Sequence, residues 1–480
     1  MTFEQNPISK TYSKIKIETR EESIQQKIEA EDIKSILSAS SNLVVKSFEA
    51  NQNTLTANVE CGLTTIFANG QNHVATVSSV AQAAPSFDVP IAHSYHFDIK
   101  ETETQIEVLS ATNAVATTKY EIIVYAIVPQ EFSGIKCGTA GVFEQTKTIA
   151  YQTLAAVSSD KIIVVDEMEL AAESIVAHHE KCTITKITPL EDTLVVDGEL
   201  LVSILSEIDQ NTKTTFKKVE FSSEVSAFGA KQGVVVLPYL SIENCNLVLA
   251  NGGTGAVCTI SATLKFDAEC FANTTMDVVE DAFCEDKQLL ITTSGLNTTT
   301  FEDSKFVSSE LSISLSTKDK NVNMGTILAV VDPHYQTAQN GGEILCTAIY
   351  RHAETDELAS CVLCAHVAKQ DSDTYPQIVV KSFAKKKPKE VAAEVVVLTS
   401  TQKDSTEFVT FAQNIEEGEA YENEGHGIVV YSATKDDSLF AVAKALHVSP
   451  EMLKAQNAEL PEVFAENKKV LLYRKNLAKF

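Results

Sequence analysis

"LVVDGELLVSIL" spans Leu194 to Leu205, and its reading decides the fold. It is rich in Val, Ile and Leu, which favours a strand packed in a sheet. Asp197-Gly198-Glu199 leads into "LLVSIL". A similar arrangement occurs twice more: Asn58-Val59-Glu60 leads into "CGLTTIF", and Gly341-Gly342-Glu343 leads into "ILCTAIY". The three glutamates, Glu60, Glu199 and Glu343, stand 139 and 144 residues apart. Each segment is followed by a polar turn, another strand and a distal pair of strands. The distal pairs are "TQIEVLSATNAVATTKYEIIVYAIV", "YLSIENCNLVLANGGTGAVCTISATLKFDAEC" and "PQIVVKSFAKKKPKEVAAEVVVLT". The even spacing reads as an internal repeat. A mainly β, multidomain chain is expected, with three β-rich modules over residues 1–135, 136–283 and 284–400.

At 480 residues the chain exceeds one ordinary core, and 44% hydrophobic with 22% charged residues is globular composition. The net charge is −26, with eight Lys/Arg and six Asp/Glu in residues 425–480. That tail therefore carries +2 and the remainder −28. An acidic body repels nucleic acid and anionic lipid. No stretch approaches 18 consecutive apolar residues, so no membrane span is expected. "MTFEQNPISKTYSKIKIETREESIQQ" lacks the apolar run of a signal peptide. The ten scattered cysteines read as free thiols of a reducing cytoplasm.

Ile24, Ile28, Ile33 and Leu37 predict one helix over Glu21 to Leu37. Lys385 to Lys389 falls between two alternating apolar strands and reads as a hairpin loop. "NGGTGA", Asn251 to Ala256, reads as a turn between strands. Residues Thr401 to His426 are polar and acidic and read as a linker over 401–426. No phosphate-loop, nucleophile-elbow or zinc-protease motif occurs, so the chain is not expected to be an enzyme or to hold a cofactor. The best metal candidate is Cys361 with Cys364, near His352 and His366. The pair lies in a strand-like run whose positions i and i+3 face opposite sides, so no metal site is assigned. His178-His179 reads as exposed helix or loop surface.

The tail, residues 427–475, reads β-α-α-β. "GIVVYSA" is a strand; Leu439, Val442, Ala443 and Leu446 share one helix face. Asp437 is the expected N-cap. Ser449 caps a second helix with Pro450 at its first position. "KKVLLYRK" closes the unit as a strand.

These residues resemble the LysM domain. The family runs strand, Gly-Asp-Thr-Leu-Trp, Ile-Ala-Lys, Val-Ser-Pro-Glu-Glu-Leu, Asn, strand. Here the corresponding residues are Asp436-Asp437-Ser438-Leu439-Phe440, Val442-Ala443-Lys444, Val448-Ser449-Pro450-Glu451-Met452-Leu453, Asn457 and Val470-Leu471-Leu472-Tyr473. In LysM domains that bind N-acetylglucosamine chains, the sugar lies between the first loop and the loop after the second helix. Backbone groups there recognise the acetamido group. Asp436 replaces the family's loop glycine, and Trp is absent from the whole chain. Both departures favour a protein partner over a glycan. The interface implied is Asp436, Asp437, Ser438, Leu439, Phe440, Asn457 and Leu460, with Lys444 or Lys454 at the rim.

The body resembles the SPOCS domain of endospore coat assembly, through "LVVDGELLVSIL", "KKVEFSSEV" and the modular order. That resemblance implies a non-enzymatic adaptor in the mother-cell cytoplasm, at the outer surface of the forespore. Its implied partner is the spore coat basement-layer ATPase, with peptidoglycan binding through the LysM-like tail as the alternative.

Overall fold

The computed structural model describes residues 2–209, 211–250, 253, 255–338, 341–370, 376–421 and 427–474. The described residues are mostly strand. The first seven strands are β1 (Ser9–Glu29), β2 (Ile33–Asn51), β3 (Thr54–Asn69), β4 (Val74–Ala83), β5 (Ser86–Asp88), β6 (Ser94–Ser110) and β7 (Asn113–Phe132). They form two sheets, β2-β3-β4 and β1-β7-β6, with β5 paired to β3. Next come β8 (Phe143–Glu169), β9 (Ser174–Pro189), β10 (Thr193–Ile208), β11 (Asn211–Ser226), β12 (Val235–Ala250) and β13 (Val257–Phe283). Their sheets are β11-β10-β9 and β12-β13-β8.

After β14 (Lys287–Phe301) come β15 (Lys305–Ser316), β16 (Met324–Ala338), β17 (Gly341–His352), β18 (Leu358–Val367), β19 (Gln377–Lys387) and β20 (Glu390–Thr401). These run β16-β17-β18 and β15-β20-β19, joined by one pair, Ser316 with Cys364. β21 (Asp404–Ala420) pairs with β14. The tail holds β22 (Gly427–Ala433), α1 (Leu439–Leu446), α2 (Pro450–Gln456) and β23 (Lys468–Arg474).

Glu60, Glu199 and Glu343 lie on β3, β10 and β17, each the middle strand of a three-strand meander. In each of the three units a sandwich core lies between the meander and the second sheet. Leu55, Ala57 and Val59 face Tyr120, Ile122 and Val124 in the first. Leu200, Val202 and Ile204 face Ile260, Ala262 and Leu264 in the second. Ile344, Cys346 and Ala348 face Val391, Val395 and Val397 in the third. Each fully buried Leu or Ile contributes roughly 1.5–3 kcal/mol of transfer free energy.

The opening stretch explains its own composition. Leu194, Val196, Leu200, Val202 and Ile204 alternate into the sandwich. Leu201 and Leu205 point the other way and are also buried. Leu201 packs with Val379, Val396 and Leu398 of the third unit. Leu205 joins Leu37 and Ile66 of the first unit and Ala329 and Ile349 of the third. A strand covered on both faces reads as a continuous apolar run. Gly198 sits under the Phe221 ring, where an added Cβ would come within 2.3 Å of Cζ and 2.6 Å of the Thr183 carbonyl.

Four expectations are corrected. Glu21 to Leu37 is no helix: β1 runs to Glu29, the chain turns at Asp32 (φ 57°), and β2 begins at Ile33. Ile24 and Ile28 are four apart, a spacing that fits a strand face as well as a helix face. Gln26 between them is also buried, donating to the Cys61 carbonyl at 3.3 Å and accepting from Ser79 Oγ at 2.9 Å. The period is two. The linker expected over 401–426 is largely strand β21, whose Val409 and Phe411 pack with Phe132, Tyr151 and Val278; residues 422–426 lie outside the described residues. His178 and His179 belong to β9, not to a helix or loop. The first tail helix is capped by Ser438, not Asp437.

Lys385 to Lys389 does span the β19–β20 hairpin, and Cys361 and Cys364 do lie along β18. Of "NGGTGA", Asn251, Gly252 and Thr254 lie outside the described residues; the stretch falls between β12 and β13. None of the ten cysteines forms a disulfide. Among the described residues no helix is long and apolar enough to cross a membrane.

Candidate functional site

The tail is built locally. Ser438, not Asp437, is the N-cap of α1: its hydroxyl accepts from the Ala441 N–H at 3.0 Å. Asp437 closes the turn before it instead, accepting from the Thr434 N–H at 2.7 Å and the Thr434 hydroxyl at 2.9 Å. Ser449 caps α2 as expected, accepting from the Met452 N–H at 3.1 Å, with Pro450 at the first helical position. Leu439, Val442, Ala443, Leu446 and Leu453 are buried with Ala433, Val470 and Leu472 of the two-stranded sheet. One apolar face per helix, covered by the inward side of a hairpin, accounts for the fold.

Asp436 is exposed and adopts φ 73°, the left-handed region where glycine is the easiest occupant. Its N–H donates to the Phe464 carbonyl at 2.8 Å. The Phe464 N–H returns to the Asp437 carbonyl at 2.9 Å, and the Leu439 N–H donates to the Glu462 carbonyl at 2.8 Å. Ser438 and Val463 form a β-bridge. The two loops between which the resemblance places a sugar are thus bonded to one another through their backbones. Asn457 is committed as well: its side-chain amide donates to the Leu453 and Leu471 carbonyls at 2.9 and 2.7 Å, and its oxygen accepts from the Leu471 N–H at 2.7 Å. Leu460 is half-buried against the tail core.

Phe440 meets the body. Its ring stands edge-on to Phe283 at the end of β13, 5.2 Å between centroids, and Phe143 stacks on Phe283 at 5.1 Å. Lys444 pairs with Asp281, and Glu285 accepts from the Ser449 N–H at 2.6 Å. His447 stacks on Tyr421 at 3.7 Å. Leu439 is 1% exposed. Of the seven expected contact residues, Leu439 is core, Phe440 faces the body, and Asn457 clamps β23; Asp436 stands free on the surface.

The face left open is the outer side of the hairpin. Ile428 pairs with Tyr473 and Val430 with Leu471. They are 62%, 53%, 54% and 38% exposed, respectively. Lys469, opposite Ser432, extends this side. The sequence signal was available: in "GIVVYSA" and "KVLLYR" both strand faces are apolar, although a two-stranded hairpin can cover only one.

A second site lies where the three units meet. A chamber of about 110 Å³ is lined by residues including Ser40, Thr64, His179, Lys181, Ser203 and Asp332. Burial raises the Asp332 carboxyl to about 7, reinforced by the nearby Glu101 charge and opposed by Lys181 and a hydrogen bond from Ser40. Burial lowers His179 to about 4, and Lys181 acts in the same direction. Near neutral pH the His179 imidazole is uncharged and the Asp332 carboxyl is partly protonated. No family model, curated protein or solved structure matches the chain.

Proposed function

We propose that the chain is a non-enzymatic structural adaptor of endospore coat assembly, whose LysM-like tail docks onto a protein partner. The three sandwiches share one strand order, in which the first strand pairs with the last and the next three form a meander. That common order supports reading them as three copies of one SPOCS-like module with boundaries near 135, 283 and 400. The partner proposed is the coat's basement-layer ATPase at the forespore surface, on the mother-cell side.

The observation that carries the reading is the exposed apolar quartet Ile428, Val430, Leu471 and Tyr473 on a module whose loop backbones are already bonded to each other. An aromatic and three aliphatic residues on a flat sheet face suit a protein interface with Lys469 at its rim. The expected docking centre therefore moves from Leu439 and Phe440 to the hairpin. The test is calorimetric titration of the full chain with the ATPase and, separately, with N-acetylglucosamine oligomers. Binding of the ATPase, lost in Tyr473→Ser, supports the adaptor. Micromolar binding of the oligomers would establish the peptidoglycan-binding alternative instead.

A further inference from the structure

Along β9, His178, Glu180 and Cys182 stand at alternate positions and so share one face of the strand. That face looks into the second sandwich, where β12 brings Cys245 opposite. His178 Nδ1 lies 2.8 Å from Glu180 Oε2. The donor atoms of His178, Glu180 and Cys245 all lie within 4.8 Å of one another. The trio occupies the mouth of the core: Cys245 is 9% exposed, whereas the His178 and Glu180 side chains are 32% and 14% exposed.

We propose that His178, Glu180 and Cys245 form a site for one thiophilic divalent cation of the zinc class. The plain alternative is a His–Glu ion pair that happens to pack beside a core cysteine. Three features favour the cation. The set combines imidazole nitrogen, carboxylate oxygen and thiol sulfur, the donors that zinc takes together. The ligands come from two strands of opposed sheets, so they are fixed by the sandwich and not by a loop. One side opens to solvent through His178, which leaves an entry path and a fourth coordination position.

Ligands around zinc at roughly 2.0–2.3 Å stand about 3.5 Å apart. Closure from the present spacing needs a shift of about 1 Å, within reach of the side chains at the mouth. On binding, the thiol proton of Cys245 leaves to solvent and the cation takes its place on sulfur.

The test uses the full chain, purified with chelator and titrated with Co(II) alone. We expect one equivalent to bind and to give the near-ultraviolet thiolate-to-cobalt charge-transfer band, with Zn(II) displacing it. Cys245→Ser should abolish the band, and Cys361→Ser should leave it intact. Because Cys245 is buried, His178→Ala at the open rim is the second variant; with its fold checked by circular dichroism, it should weaken binding at least about tenfold. Absence of the band in the unsubstituted protein, its survival in Cys245→Ser, or unchanged affinity in folded His178→Ala would overturn the proposal.

Discussion

Phe440 on α1 and Phe283 at the end of β13 meet edge to face, their planes inclined by 69°. The tail therefore completes its core with a residue that lies far earlier in the chain. Phe440→Ala should release the tail from the body without unfolding the sandwiches. Paired with Phe283→Ala, it should show a coupling of roughly 0.5–1.5 kcal/mol. Limited proteolysis between β21 and β22, faster in Phe440→Ala than in the unsubstituted chain, checks the release.

Leu439 is 1% exposed among Val442, Leu453 and Leu472. Leu439→Ala should cost about 2–4 kcal/mol, enough to unfold so small a unit. Urea denaturation monitored on tail amides should show that transition moving to lower denaturant, with the body transition unchanged.

Gly198 has no room for a side chain beneath Phe221. Gly198→Val forces the ring or the Thr183 carbonyl aside and should cost about 1–3 kcal/mol. Gly62 is the contrast: an added Cβ there meets only the Asn42 carbonyl, at 3.9 Å. The difference between Gly198→Val and Gly62→Val in melting temperature checks this.

The Asp332 carboxyl titrates near 7 in the folded chain, against about 4 when unfolded. A raised carboxyl pKa means that the folded state keeps a proton that the unfolded state has released. The contribution is fully present below about pH 4 and is lost as pH rises through about 7. Asp332→Asn removes that loss. The variant should gain on the original chain by on the order of 1–3 kcal/mol between pH 4.5 and pH 8. Urea titrations at the two pH values give the comparison; an equal difference at both would contradict it.

What the sequence disclosed follows from the range of the forces involved. The middle and last strands of the three meanders and the β-α-α-β order of the tail were legible, because alternation, caps and helix faces are written within a dozen residues, whereas the first strands β2 and β9 were read in part as helix or loop. The pairing of β14 with β21 was not: Phe301 meets Asp404 across a hundred intervening residues, and nothing local marks either strand for the other. Residues 404–420 looked like a linker because polar residues surround Val409, Phe411 and Ile415. β1 was mistaken for a helix because Gln26 conceals the two-residue period. His178 read as helix or loop surface and Glu180 drew no reading, because their alternation with Cys182 signifies a common face only once the segment is known to be a strand. Cys245, which stands opposite, is reachable only through the fold.

In each sandwich the opening strand bonds to the closing one: Ser9 with Phe132, Phe143 with Phe283, and Lys305 with Thr401. On a ribosome, the opening strand of each unit emerges long before its mate exists. At about 5–20 residues per second, β1 waits on the order of ten seconds for β7. During that interval the backbone edge that will bond to β7 is bare, while the meander made meanwhile can already cover the apolar side, where Ile24 packs with Leu55 and Ala57. Synthesis should therefore proceed in three bursts of burial, one as each closing strand emerges, with chaperone occupancy of nascent chains highest just before each burst. The tail docks after all three.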